Sequence, residues 1–377
     1  AIGMNAFTGG ALASGEVVSN NVAIGYASLD ATGGEPMTGT TAVGAYSLSA
    51  LTSGAGNTAV GFEALKTENA GSGNVALGYQ ALETLDNDTG HNVAIGYDAM
   101  QAASGAYYHV CIGSYAGKNL VSGAGASVII GYQAGDAGIE QDGHVLIGRS
   151  AGGAITSGQQ NVAVGYQALA VEDDGDFNTA VGYQALTAQN GVDGLVGNTA
   201  IGCLAGKTIS SGTGNSLLGY NAGQALLTSQ GTTAIGESAL YTEDVGTQST
   251  AVGLGAMYLQ NTASAGVTGN TGVGYQVGYS NVTGTNNTYI GWRAGFGPGS
   301  EGNNSNNTAI GKDALLDVTS GGSNTCIGIG AGKDISTGAE NVAIGGQACG
   351  YASSNPLTGT GNIVIGYQAG RVMEAAS

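Results

Sequence analysis

Residues 161–186 read NVAVGYQALAVEDDGDFNTAVGYQAL, in which a nine-letter phrase, N-x-A-V-G-Y-Q-A-L, is written twice, first from Asn161 and again from Asn178. Self-similarity at a fixed period decides architecture before any local motif is read. Anchored on the glycine that follows the aliphatic residue, the phrase recurs from Gly3 to Gly366 in 21 copies; 12 of the 20 intervals equal that from Gly165 to Gly182, and the others are slightly longer. The copies leave no stretch over, so residues 1–377 are expected to form a single repeat domain.

The columns are sharper than the spacing. The residue before the glycine is Ile, Val or Leu in all 21 copies, and two residues earlier stands Val, Thr or Ile in every complete copy but one, where Ser216 replaces it. Between them lies a mostly small residue, usually Ala. Asn stands four before the glycine in 14 of the 20 complete copies, and Ala three after it in 18. Large residues two apart with a small one between are the period of a strand, not of a helix. Gly, Ser, Asn, Asp and Thr between the strands are turn residues. One strand, one tight glycine, a second short extended segment and a polar turn make one coil, of about 17 residues, of a parallel β-solenoid that is all-β and has about 21 coils. At about 4.8 Å per coil the expected rod is on the order of 100 Å long.

The alternation places the large side chains on one face and Ala and Gly on the other. A face of small residues admits close approach of another backbone or sheet, so both faces are expected to be covered. The repeat core is assigned to Ile24, Val164, Val181 and Ile310, to the glycines Gly25, Gly165, Gly182 and Gly311, and to Ala168, Ala185 and Ala314. Two or three sizeable apolar side chains per coil are thin support for so many ordered residues, each costing roughly 1.5 kcal/mol of conformational entropy. Self-association of parallel chains through the Ala and Gly face, with the ring column after the glycine, is the expected remedy. Leu at Gly182 or Ala185 is then expected to disrupt assembly far more than Asn at Asp174, which lies in a polar turn.

Composition narrows the function classes. The chain has 72 Gly, three Pro and 9% charged residues, with a net charge of −18 and only eight Lys and Arg, spread singly. That distribution offers no basic face to nucleic acid or anionic lipid. No run of about 18 apolar residues is present, so no helical membrane insertion is expected. The chain opens on AIG, in the middle of a copy, as a piece of a longer fibre chain would. The four cysteines, Cys111, Cys203, Cys326 and Cys349, occupy repeat columns and fit no zinc spacing; they read as small apolar filler, with a cross-chain disulfide as the alternative.

Copies such as NVAIGYDAM (92–100), NTAIGKDAL (307–315) and NVAIGGQAC (341–349) resemble the head repeats of YadA-like trimeric autotransporter adhesins, and the form with G-Y-Q-A-L is similar to repeats of bacteriophage tail-fibre proteins. The resemblance spans essentially the whole chain. It implies a left-handed β-roll, an intertwined homotrimer with parallel chains, and a stalk or head that projects from a cell or virion and carries host contact. Coiled-coil heptads, membrane-anchor strands and an attachment domain, which accompany such repeats in those families, are not recognisable in residues 1–377.

Several motifs invite chemistry. GRSAG (148–152) matches the G-x-S-x-G elbow of hydrolases, but its glycines are repeat columns and an elbow needs a strand-turn-helix. GCLAGKT (202–208) is one residue short of a phosphate loop, and its lysine is a repeat column as well. The acidic turns VEDDGDF (171–177) and LDNDTG (85–90) match no calcium-loop spacing and read as solvated turns. No catalytic, cofactor-binding or metal site is therefore assigned, and the chain is expected not to be an enzyme. Threonine holds the column two before the aliphatic residue almost unbroken from Thr179 to Thr325, which raises ice binding; because Val holds the same column from Val75 to Val162, it reads as packed rather than wet.

An aromatic stripe five after the glycine, Tyr241, Tyr258, Tyr279 and Phe296, with Trp292 nearby, reads as a packing ladder or as a ledge for sugar rings, and is the candidate receptor contact. The insertions at 33–39, 190–197, 261–269, 296–306 and 351–359 are candidate contact loops. The expected function is a structural fibre: the rod of a phage tail fibre or similar appendage, extracellular or on a virion, giving reach and contact with a cell-surface glycan or protein receptor. The alternatives are a bacterial surface adhesin head that binds matrix or glycans, and an extracellular filament or ice-binding solenoid.

Overall fold

The computed structural model describes all residues except 9–17, 32–36, 87–88, 122–125, 142, 191–192, 263–265, 300–301, 351–357 and 371–377. Among the described residues it is all-β with no helix. The chain divides into two compact units, Ala1–Val181 with Asn190–Leu195, and Gly182–Gln189 with Val196–Ser377. Both are parallel β-solenoids of one design. The first carries ten three-residue strands, from Val22–Ile24 to Thr179–Val181, and the second ten, from Thr199–Ile201 to Ile363–Ile365. Within each unit successive strands pair in parallel one coil apart, like column on like: Val145 on Val162, Leu146 on Ala163, Ile147 on Val164.

The glycine column follows from the stacking. Gly61 has φ +146° and Gly148 φ +133°, and a Cβ on either would fall inside contact distance of the carbonyl oxygen of the next glycine in the stack, Gly78 or Gly165. Side chains are thus excluded by the neighbouring coil of the same chain. After the glycine the backbone enters the left-handed region twice, as at Gln80 (φ 51°) and Leu82 (φ 53°). Each such residue costs roughly 1–2 kcal/mol. Hydrogen bonds to both neighbours offset it: Gln80 N–H donates back to Phe62 O (2.9 Å) and Leu82 N–H forward to Ala99 O (3.0 Å).

Both faces of the strand were expected to be covered, and only the one with the middle residue is. The middle residue points inward: Ala59, Ala76, Ala94 and Ala163 are fully buried, while Ile24, Leu77, Ile201 and Ile290 are 38–45% exposed. Of the assigned core, Ala168, Ala185 and Ala314 are buried, whereas Val164, Val181 and Ile310 are half-exposed and Ile24 exposed. Gly25, Gly165, Gly182 and Gly311 are half-buried in their stacks. So short a coil has a limited volume inside, shared by the strand's middle residue, the Ala three after the glycine and the residue after that. The branched residues are forced outward.

Interior volume is conserved by exchange. Where the strand's middle residue is Ala, the position four after the glycine is Leu or Met, as in Ala59 with Leu65 and Ala94 with Met100; where the middle residue is large, that position is Gly, as in Ile129 with Gly135 and Leu146 with Gly152. A Cβ on Gly135 would lie 2.8 Å from Leu146, 2.9 Å from Ile139 and 3.3 Å from Ile129. Tyr289, the largest fully buried side chain, fits because Gly295 and Gly278 lie against its ring. Three complete copies depart from the rule: Gly206 beside Ala200, where Leu217 and Leu186 of the adjoining coils fill the space; Gly278 with Gly272, against which Tyr289 and Met257 of the adjoining coils lie; and Cys349 with Ala343.

The Asn column is a buried ladder. Each side chain accepts the backbone N–H of its equivalent one coil on, as Asn57 Oδ1 from Asn74 (2.9 Å) and Asn74 Oδ1 from Asn92 (3.0 Å). Its amide closes the coil by donating to a carbonyl ahead, most often 14 residues on, as Asn57 to Gly71 (2.7 Å) and Asn92 to Ala106 (2.8 Å), and further in longer coils, as Asn287 to Asn304 (2.8 Å). In the second unit the ladder runs without a change of residue through Asn270, Asn287, Asn307, Asn324, Asn341 and Asn362.

Candidate interaction face

The outward columns of each unit form one continuous face. It consists of the Val/Thr and Ile/Val/Leu columns of the strand and the residue after the glycine, which is aromatic in 11 of the 21 copies. In the first unit that ring column stacks coil on coil, Phe62 on Tyr79 (5.3 Å between centroids, 16° between planes) and Tyr79 on Tyr97 (5.0 Å, 6°); where Ser114 holds the column, Tyr115 from the next position meets Tyr97 (5.5 Å) and Tyr132 (5.9 Å) edge-on. Arg149 continues the column, its guanidinium 5.6 Å from the Tyr132 centroid and 5.7 Å from that of Tyr166. The Asp98 carboxylate beside Tyr97 pushes that phenol above its ordinary range. In the second unit Tyr275 stacks on Trp292 (6.2 Å, 10°), with Lys312 over the indole at 4.9 Å. Tyr79, Tyr132 and Tyr220 stand 41%, 46% and 51% exposed, so the column is stacked from coil to coil and bare on its outer side.

The stripe read from the sequence is a second, separate ladder. Tyr241, Tyr258, Tyr279 and Phe296 stack nearly parallel at 4.9, 5.1 and 5.4 Å, and Arg293 sits 4.3 Å from the Phe296 centroid. Burial, with the neighbouring phenols, raises the Tyr258 pKa. Ring faces here cover one another, leaving edges rather than a platform. Trp292 is not part of this ladder; it belongs to the outer face, and Arg293, 5.0 Å from its centroid, spans the two.

The remaining sequence candidates are placed as follows. Ser150 lies in the turn after its glycine (φ 53°), with its N–H donated to Tyr132 O, and no helix follows. Thr208 commits its hydroxyl to the Gln224 and Leu226 carbonyls (2.7 and 3.0 Å). In the acidic turn 171–177 the carboxylates meet donors of the chain: Glu172 accepts Gly175 N–H (2.9 Å), Asp174 the Ser157 hydroxyl (2.5 Å) and Asp176 Gln159 N–H (2.8 Å). Asp174 is therefore bonded to the preceding coil rather than merely solvated. Part of the turn at 85–90 lies outside the described residues, as do parts of the insertions at 33–39, 190–197, 261–269 and 296–306 and most of that at 351–359. Gly194–Leu195 of the second insertion pairs in parallel with Gly175–Asp176, leaving Leu195 75% exposed.

Cys111, Cys326 and Cys349 are buried free thiols, and burial pushes the Cys326 thiol up to about 12. The described residues hold no group of three or more His, Cys, Asp or Glu arranged to take a metal ion, and no helix long and apolar enough to cross a membrane. The bare face was missed because alternation shows two faces without saying which is inside; the pairing of Ala with Leu and of Ile with Gly was the signal that would have told. No protein-family model, curated protein or solved structure matches the chain.

Proposed function

We propose that the chain is a non-enzymatic structural fibre protein, a rod of a phage tail fibre or similar surface appendage, in which three parallel copies associate through their Ile/Val/Tyr faces and provide reach and host-surface contact. The observation that carries this reading is the bare outer face. An aromatic side chain buries about 150–250 Å², and in the first unit Tyr26, Tyr46, Phe62, Tyr79, Tyr97, Tyr132 and Tyr166 are each 36–46% exposed. The rings alone leave on the order of 500 Å² uncovered, and the aliphatic columns beside them add more. A stable interface needs about 800 Å² per partner. Association in register keeps the stacked columns parallel, so that reach comes from the number of coils and stiffness from the ladders. A bacterial adhesin head is the neighbouring reading, separated from the first by whether a virion attachment domain or an outer-membrane anchor adjoins these repeats in the full gene.

One observation favours a different class. In the second unit the threonines from Thr199 to Thr325 are half-exposed beside Ile and Val on a regular sheet, an array suited to ordering water if nothing covers it. Light scattering coupled to size exclusion decides between them. A mass near three times 36.7 kDa, falling to one on Ile147→Asp or Tyr79→Asp, supports the fibre. A monomeric wild type overturns it, and measured thermal hysteresis would then establish the water-ordering face.

A further inference from the structure

Between Asn92 and Asn161 the inner ladder changes chemistry: its column reads Asn92, His109, Ser127, His144, Asn161. Both imidazoles are buried and take the place of an asparagine as acceptor. His109 Nδ1 accepts Ser127 N–H and His144 Nδ1 accepts Asn161 N–H, both at 3.3 Å. The alternate links are Asn92 Oδ1 accepting His109 N–H (3.1 Å) and Ser127 Oγ accepting His144 N–H (3.2 Å). A neutral imidazole accepts at Nδ1 only while its proton is on Nε2. A second proton occupies the accepting nitrogen, removes that rung and leaves a positive charge inside the coil. Asparagine has no such transition.

We propose that the stretch from Asn92 to Asn161 is an acid-opened link: protonation of His109 and His144 breaks two rungs and loosens these coils while the asparagine-only rungs elsewhere stay closed.

Among the described residues no counter-charge acts on either ring: the titratable group that acts on His144 is His109, and none acts on His109. The Gly158 carbonyl favours a proton on His144, but burial outweighs it and holds both rings down to about 4. Cys111, in the interior of the His109 coil, is kept a thiol by burial. Glu172, in the Asn161 coil, is engaged by the N–H groups of Gly175 and Asp173. The folded state holds the rings neutral where the unfolded chain would protonate them. Their contribution to stability is therefore complete above about pH 6.5 and is lost as the pH falls through about 4.

Amide hydrogen exchange of the full chain at pH 7 and pH 4, corrected for intrinsic rates, tests the link with its control in the same molecule. The Ser127 and Asn161 amides should lose protection on the order of 100-fold more than those of Asn307 and Asn324, and in the His109→Asn/His144→Asn variant that excess should vanish. Equal loss in both ladders, or an excess that survives the double substitution, overturns the proposal. The wild-type comparison stands by itself if the variant does not fold.

Discussion

Two stretches of the first unit share one backbone and fill it differently. In residues 41–82 the strand centres are Ala42, Ala59 and Ala76, and the volume comes from Leu48, Leu65 and Leu82; in residues 110–152 the centres are Cys111, Ile129 and Leu146, and the opposing positions are Gly117, Gly135 and Gly152. The ladder differs as well, with Asn57 and Asn74 in the first stretch and His109, Ser127 and His144 in the second. Strand pairing is the same in both, column on column. The difference teaches that a narrow coil holds a fixed volume of apolar side chain and is indifferent to which wall supplies it, provided the glycine stack and one acceptor per coil are kept.

The shared part should be the most costly to alter. Gly61→Ala meets the Gly78 carbonyl and a φ of +146°; we expect a loss of about 3 kcal/mol or more, read as failure to fold or a large drop in the denaturant midpoint. Next comes the exchange itself. Ala59→Leu overfills a coil that already holds Leu65 and should cost about 1–3 kcal/mol, while adding Leu65→Gly, which imitates Ile129 with Gly135, should restore most of it. A double-mutant cycle with no recovery would show that the two walls are not interchangeable.

Asn74→Ala leaves the Asn92 N–H buried without its acceptor and should cost about 1–3 kcal/mol. Asn74→His, borrowing the rung of the second stretch, should be milder at pH 7 and worsen as the pH falls. The smallest effect concerns Glu68, buried under the first stretch, whose carboxyl accepts the N–H groups of Ala70 (3.1 Å) and Gly71 (2.6 Å). Burial raises its pKa above 4.5 despite those bonds. Its contribution is thus greatest below pH 4.5 and lost as the pH rises through the folded-state value, opposite in sign to the histidines. Glu68→Gln should gain stability over wild type as the pH is raised, measured by melting between pH 4 and 8.

The repeat, the strand and the turns were legible because each is written in every coil. The position of the acidic turn 171–177 and the stacking of Tyr241, Tyr258, Tyr279 and Phe296 were legible too, since equal column means adjacent place. The inside of the coil was not. Val at 75–162 and Thr at 179–325 in one column suggested a packed position, yet both are half-exposed, because a column that tolerates either residue is compatible with the outer face as much as with a core. Asparagine four before the glycine was visible as a column, but its work depends on a carbonyl, most often 14 residues ahead, that only a closed coil brings within reach.

The sequence by itself determined the coil length, the in-register parallel stacking and the need for glycine at one position in every copy, because those follow from a repeated local pattern. Only the tertiary structure decided which side of each strand is enclosed. A loop this short has too small a cross-section for the branched column, so Ala goes inside, Ile and Tyr are turned out, and the face on which a function can be built is the one that a reading by hydrophobicity would have buried.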